Sequence, residues 1–267
     1  MNPAGIIPLS LADLAGAFGL ILLAAALARL QGAGQGRDLL WSALRMVAQL
    51  LAVGYLLHFV FALDHPLPIL LLLLVMAAFA VQTVGARVKR RMPRFYPVVG
   101  GAILIGCGGT TMLFCTLIVG LTPWYDPRYL IPLAGMIIGN SMTGASLAAE
   151  RLAGEMAERR EQIETALCLG APARLAAREA VGNAFRAALI PAINSMAAMG
   201  IVFLPGMMTG QILSGTEPIL AVRYQIGIMC TITGSVAVTA FLILLFGARS
   251  YFTAEHQLRE EPPAGQG

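Results

Sequence analysis

Two short polar clusters interrupt stretches that are otherwise apolar. Asn140, Ser141, Met142 and Thr143 lie between Gly139 and Gly144, and Asn194, Ser195 and Met196 lie further along, so that Asn-Ser-Met occurs twice. An amide or hydroxyl inside an apolar run costs free energy unless it meets water, a polar partner or a bundle interior. Such residues are therefore the first candidates for a solute path. Met142, Met196, Met207 and Met208 would add soft, adaptable surface to it. The same pattern suits close helix packing through small residues with interhelical amide bonds. Packing accounts better for Gly139 and Gly144, and a path accounts better for Asn140 and Asn194.

A third constellation is a charged arm, residues 148–186, which holds six of the fourteen acidic residues and six of the eighteen basic ones. Leu152, Met156, Ile163 and Leu167 recur at helical spacing and predict an apolar stripe. Glu155 with Arg159, and Arg160 with Glu164, stand four apart and are expected on wet faces. Gly170-Ala171-Pro172 then predicts a stop and a new start, since Gly closes helices and Pro opens them. The product is a helix, a sharp bend and a second helix returning near Arg186. It can insert into a cleft on a soluble partner, or lie as an amphipathic hairpin on lipid headgroups.

A fourth, Leu204-Pro205-Gly206-Met207-Met208-Thr209-Gly210, cannot be a plain helix, because Pro205 lacks an amide donor and Gly206 and Gly210 loosen the backbone. It reads as a re-entrant gate that would include Gln211, or as an outer loop. Arg223 and Gln225 open the last apolar run, and Arg223 is expected to snorkel or to pair with Glu217 or Asp126.

Several chemistries are excluded. A phosphate-cradling loop needs G-x-x-x-x-G-K-[ST], and the single lysine, Lys89, is flanked by valine and arginine, so the chain is no ATPase. The last apolar run has no lysine for a retinal Schiff base. His58 is the one histidine inside an apolar run, which argues against an intramembrane serine protease. Cys107, Cys115, Cys168 and Cys230 form no C-x-x-C pair, and no His, Cys, Asp or Glu cluster stands at ligand spacing, so no metal ligands are assigned.

These residues need elements to hold them, and composition says which. Hydrophobic residues make up 58% and charged residues 12% of 267, with mean hydropathy +0.77, so the elements are membrane-spanning. Runs near 7–28, 41–61, 67–85, 97–121, 129–147, 187–204 and 219–247 predict about seven transmembrane helices and an all-α polytopic fold. With the N-terminus outside, sixteen of the eighteen basic residues fall at or inside the cytoplasmic face, and only Arg128 and Arg223 do not. The arm and the C-terminus are then cytoplasmic, and the cluster Arg87, Lys89, Arg90, Arg91 and Arg94 anchors the chain against anionic lipid rather than nucleic acid. The expected organisation is one permease domain, 1–254, carrying the elbow 148–186, and a flexible cytoplasmic tail, 255–267.

Glu164-Thr165-Ala166-Leu167-Cys168-Leu169-Gly170-Ala171 resembles the E-A-A-x-x-x-G coupling motif of ABC transporter permeases, with Thr165 replacing the middle small residue. A longer resemblance runs through Pro127-Arg128-Tyr129, Ile131 to Met136, Gly139 to Gly144, Glu150-Arg151-Leu152, Ile193 to Met196, Leu204 to Leu213 and Tyr224-Gln225-Ile226. These blocks are similar to the iron-export ABC permease family, which includes bacterial Fet-type permeases and plant proteins linked to aluminium tolerance.

The resemblance implies a permease of the cell membrane that exports a metal or metal-linked substrate. It implies a separate ATPase partner that carries ATP and magnesium, and docking through Glu164, Thr165, Ala166, Gly170 and Ala171. Seven spans are too few for a full exporter core, so a second copy of the chain is expected. Two other classes stay open: an ion-coupled carrier with Asp13 as its ion site, and a membrane scaffold or receptor whose elbow recruits another partner.

Overall fold

A computed structural model of the chain describes residues 10–32, 36–61, 65–253, 255 and 257–259. The remainder of the expected tail, 260–267, lies outside the described residues, as do the first three residues of the expected first span. The described chain is helical, and its contacts divide it into two compact units.

The first unit is built on α1 (Leu11–Leu30) and α2 (Gly36–Phe61), together with Gln211–Thr216. Ser10 caps α1 and shares a reciprocal capping box with Asp13: the Ser10 backbone N–H donates to Asp13 Oδ2 at 2.8 Å, and the Asp13 N–H donates back to Ser10 Oγ. The residue proposed as an ion site in the carrier reading is thus engaged at a helix start. α1 and α2 pack on each other, with Gly36 close to the Ala25 carbonyl.

The second unit comprises α3 (Pro66–Arg87), α4 (Phe95–Leu113), α5 (Pro127–Glu158), α6 (Arg160–Cys168), α7 (Ala173–Ala176), α8 (Arg178–Ala198), the first turns of α9 (Gly206–Leu213) and α10 (Pro218–Ser250). A π-helical turn, Phe114–Ile118, closes α4. Prolines at N1 start α3, α5 and α10, and the side chains of His65 and Asp126 accept from the next free backbone N–H groups of α3 and α5. α5 packs against α3, α4, α8 and α10, and α10 packs also against α4 and α8.

Six described helices are long and apolar enough to cross a membrane: α1, α2, α3, α4 with its π turn, α5 and α10. The expected span 187–204 begins in the C-terminal half of α8, whose first turns carry Arg178, Glu179, Asn183 and Arg186. α8 ends at Ala198, short of residue 204, because Met199 turns extended and Gly200 takes φ +84°. At 1.5 Å per residue, α5 is about 48 Å long, well beyond a hydrocarbon core of about 30 Å. Its length exceeds what a crossing requires, and its charged last turns lead into the elbow.

Small side chains let the second unit pack tightly. Ala180, Ala184, Ala188 and Ala192 are all buried and line one face of α8. On α5 opposite, a methyl at Gly144 would lie 2.6 Å from Val236 Cγ1 and 3.4 Å from the Ala188 carbonyl, so only glycine allows this approach.

Candidate functional site

The elbow begins where α5 breaks at Arg159, and a buried carboxylate organises the break. Glu155 is 2% exposed, because it falls in phase with buried Leu152 and Met156. This corrects the expectation of a wet face: the apolar stripe is wide enough to take Glu155 in, and basic neighbours neutralise it. Its Oε1 meets Arg151 Nη2 at 2.6 Å, and its Oε2 meets Arg159 Nε at 2.6 Å and accepts from Asn183 Nδ2 at 3.0 Å. Arg159 also reaches Glu179 Oε2 at 2.8 Å, so the network ties α5 to α8 across the root of the elbow. Hydrogen bonding to Glu155 is the largest influence on Arg159 and raises its pKa above the ordinary value, against partial desolvation and with help from Glu179. A buried carboxylate in a charged stretch shows itself in sequence only by sharing the phase of the apolar stripe, and charge pairing alone hid it.

The bend that follows is a Schellman closure. Ala171 N–H donates to the Ala166 carbonyl at 3.0 Å and Gly170 N–H to the Leu167 carbonyl at 2.9 Å, with Gly170 at φ +89°. Three of the expected coupling residues, Ala166, Gly170 and Ala171, thus build the turn itself. Glu164 pairs with Arg160 at 2.9 Å while staying largely open, and Thr165 Oγ1 donates to the Glu161 carbonyl at 2.7 Å. Leu169 stands at the apex, 82% exposed, beside exposed Cys168. An unburied leucine next to the turn glycine is not among the residues singled out from the motif, although its apolar character in a polar arm is a signal.

The two polar clusters divide by face. Ser141 is fully buried and its Oγ lies 2.9 Å from Ser235 Oγ, joining α5 to α10. Asn140 is exposed, with Nδ2 donating to the Met136 carbonyl at 2.8 Å, and Thr143 beside it is half-buried. Asn194 is exposed on α8, Met142 and Ser195 are half-buried, and Met196 Sδ accepts from Thr233 Oγ1 at 3.5 Å. Asn140 and Asn194 therefore both stand on faces of α5 and α8 that the chain leaves open.

At the far end of α8, Ile201 and Val202 form an exposed apolar tip, closed by Gly200 N–H donating to the Phe203 carbonyl at 2.9 Å. Pro205 precedes the short helix α9, in which Gly206 is exposed and Met207, Met208 and Gln211 are half-buried, and which crosses from one compact unit into the other. Arg223 is exposed and, among the described residues, pairs with neither Glu217 nor Asp126, since its position on the first turns of α10 points it outward. Gln225 is buried, its Nε2 facing Met199 Sδ at 3.9 Å. Among the described residues no three His, Cys, Asp or Glu side chains come together as a metal site.

The model of the uncharacterised protein family UPF0014 matches residues 11–252. The chain belongs to UPF0014. Within the family it is 39% identical over 257 residues to the UPF0014 membrane protein slr1647 of Synechocystis, covering 95% of this chain and 98% of that one. It is 34% identical to Protein ALUMINUM SENSITIVE 3 of Arabidopsis thaliana over 245 residues, covering 92% of this chain and 88% of that one. It is 32% identical to the Probable iron export permease protein FetB of Escherichia coli over 222 residues, covering 83% of this chain and 84% of that one. No solved structure matches it significantly. This UPF0014 chain is thus an all-α polytopic membrane protein whose relatives include FetB.

Proposed function

We propose that this UPF0014 protein is the membrane-spanning subunit of an ABC transporter that exports iron or a metal-linked substrate. ATP and magnesium would be held by a separate ATPase chain. The observation that carries the reading is the elbow: a glycine-closed knuckle with exposed Leu169 and Cys168 at its apex, projecting beyond the span of α5. The relationship to FetB supplies the transport class and the metal. The N-terminus lies outside and the C-terminus in the cytoplasm, which puts the knuckle where a soluble ATPase can reach it.

Two copies complete the transporter. An amide on the outer face of a spanning helix is costly against lipid. Asn140 and Asn194 meet a second copy or a water-filled path between copies, with Met142, Thr143, Ser195 and Met196 on its margins. Pro205, Gly206, Met207 and Met208, with Arg223 and Gln225, stand at the outer end as the gate.

Purification from native membrane in mild detergent, with identification of stoichiometric partners, tests the reading beside Leu169→Glu and Gly170→Arg variants. The wild type is expected to retain a Walker-type ATPase and the variants to lose it at least tenfold while eluting as folded protein. A well-folded wild type without any ATPase would overturn the proposal.

A further inference from the structure

Behind the knuckle, between α6, α7 and α8, lies an open cavity of about 610 Å³ that the coupling reading leaves unused. Arg159, Arg178 and Arg186 line it with Gln162, Asn183 and the carboxylate of Glu179, over an apolar floor that includes Ile163 and Leu175. The three guanidiniums are not equivalent. Arg159 is bracketed by Glu155 and Glu179. Arg178 and Arg186 have no carboxylate partner and no hydrogen bond among the described residues. They stand two turns apart on α8, about 12 Å along its axis.

Two uncompensated guanidinium forks over an apolar floor, at the level where helices leave the membrane, match the chemistry of a phosphate group on an amphipathic carrier. Guanidinium forks take phosphate oxygens in paired hydrogen bonds, and basic pockets between helices on the cytoplasmic side take anionic headgroups. Ala166 and Ala171 of the knuckle form part of the same wall, so an occupant would set the distance between knuckle and helix root.

We infer that this cavity is an anion site for a phosphate-bearing ligand, held by Arg178 and Arg186. The source is a phospholipid headgroup or free phosphate. The inference rests on the membrane reading and not on the ATPase, so its failure leaves the docking proposal standing.

Native mass spectrometry of the full chain, titrated with phosphatidylglycerol and, separately, with phosphatidylcholine, tests it beside an Arg178→Gln, Arg186→Gln variant. Both arginines are exposed, so the variant is expected to melt like the wild type. Loss of about 30-fold in phosphatidylglycerol affinity is expected, with little change for phosphatidylcholine. An Arg178→Lys, Arg186→Lys variant keeps the charge without the fork and should fall between. Displacement of the lipid by 10 mM inorganic phosphate, roughly tenfold above the top of the usual metabolite KM range, assigns the site to free phosphate, and resistance to displacement assigns it to a headgroup. Equal phosphatidylglycerol binding by wild type and glutamine variant, or no binding of either probe by the wild type, overturns the inference.

Discussion

The α1–α2 pair and the α5–α8–α10 group are both apolar and helical, yet they are built on different terms. Only 6% of the span of α1 is buried within the chain, against 56% for α10, so the first pair meets its surroundings through large side chains such as Leu20, Leu23 and Tyr55. The second group hides small and polar residues instead: the alanines of α8, the Gly144 notch, the Ser141–Ser235 contact and the Glu155 network. In lipid, apolar side chains gain little by leaving the solvent, so association depends on close approach and on polar links. Hydropathy alone cannot distinguish the two groups, whereas substitution can.

Removing the polar anchor should have the largest effect. Glu155→Ala leaves Arg159 with one carboxylate and Asn183 with none, and is expected to destabilise the second unit by about 1.5–3 kcal/mol, since the freed guanidiniums still reach water. The midpoint of denaturant unfolding in detergent would show it, and an unchanged midpoint would mean that the network is ornamental. Gly144→Leu comes next, at about 1–3 kcal/mol from overpacking against Val236 and Ala188, seen as lower thermal stability in fluorescence-detected size exclusion. The smallest effect is expected on α1, where Leu23→Ala should stay within about 0.5 kcal/mol by the same assays. A large loss there would erase the contrast, because it would show that the α1 surface is packed rather than lipid-facing.

Most of the fold was legible because its signals are local. Apolar runs mark the spans, prolines and Asp126 mark starts, and Gly170-Ala171-Pro172 marks the bend, each needing only a few neighbouring residues. What sequence reading missed depends on which way a helix faces. Asn140 and Ser141 are adjacent in the chain yet point to different environments, one open and one sealed against α10, and no hydropathy window separates neighbours. The i, i+4 charge pairing of Glu155 points to water, whereas its phase with Leu152 and Met156 points inward, and phase wins. The sixth expected span runs on to residue 204 because Ile201, Val202 and Phe203 are apolar, although the Gly200 turn lies past the end of α8. Among site residues, the bend geometry was legible, whereas the exposed Leu169 and the partnerless Arg178 and Arg186 emerged only once neighbours from distant positions were in place.

The four buried alanines of α8 act as evenly spaced rungs. Successive rungs are about 6 Å apart along the axis and present the same methyl group, so sliding by one rung would replace each contact with its copy. Nothing along such a ladder tells the helix where to stop. Its alignment with α5 is therefore set by two distinct features, the Gly144 notch and the Asn183 bond to Glu155. A pull delivered at the elbow acts first on the second of these latches.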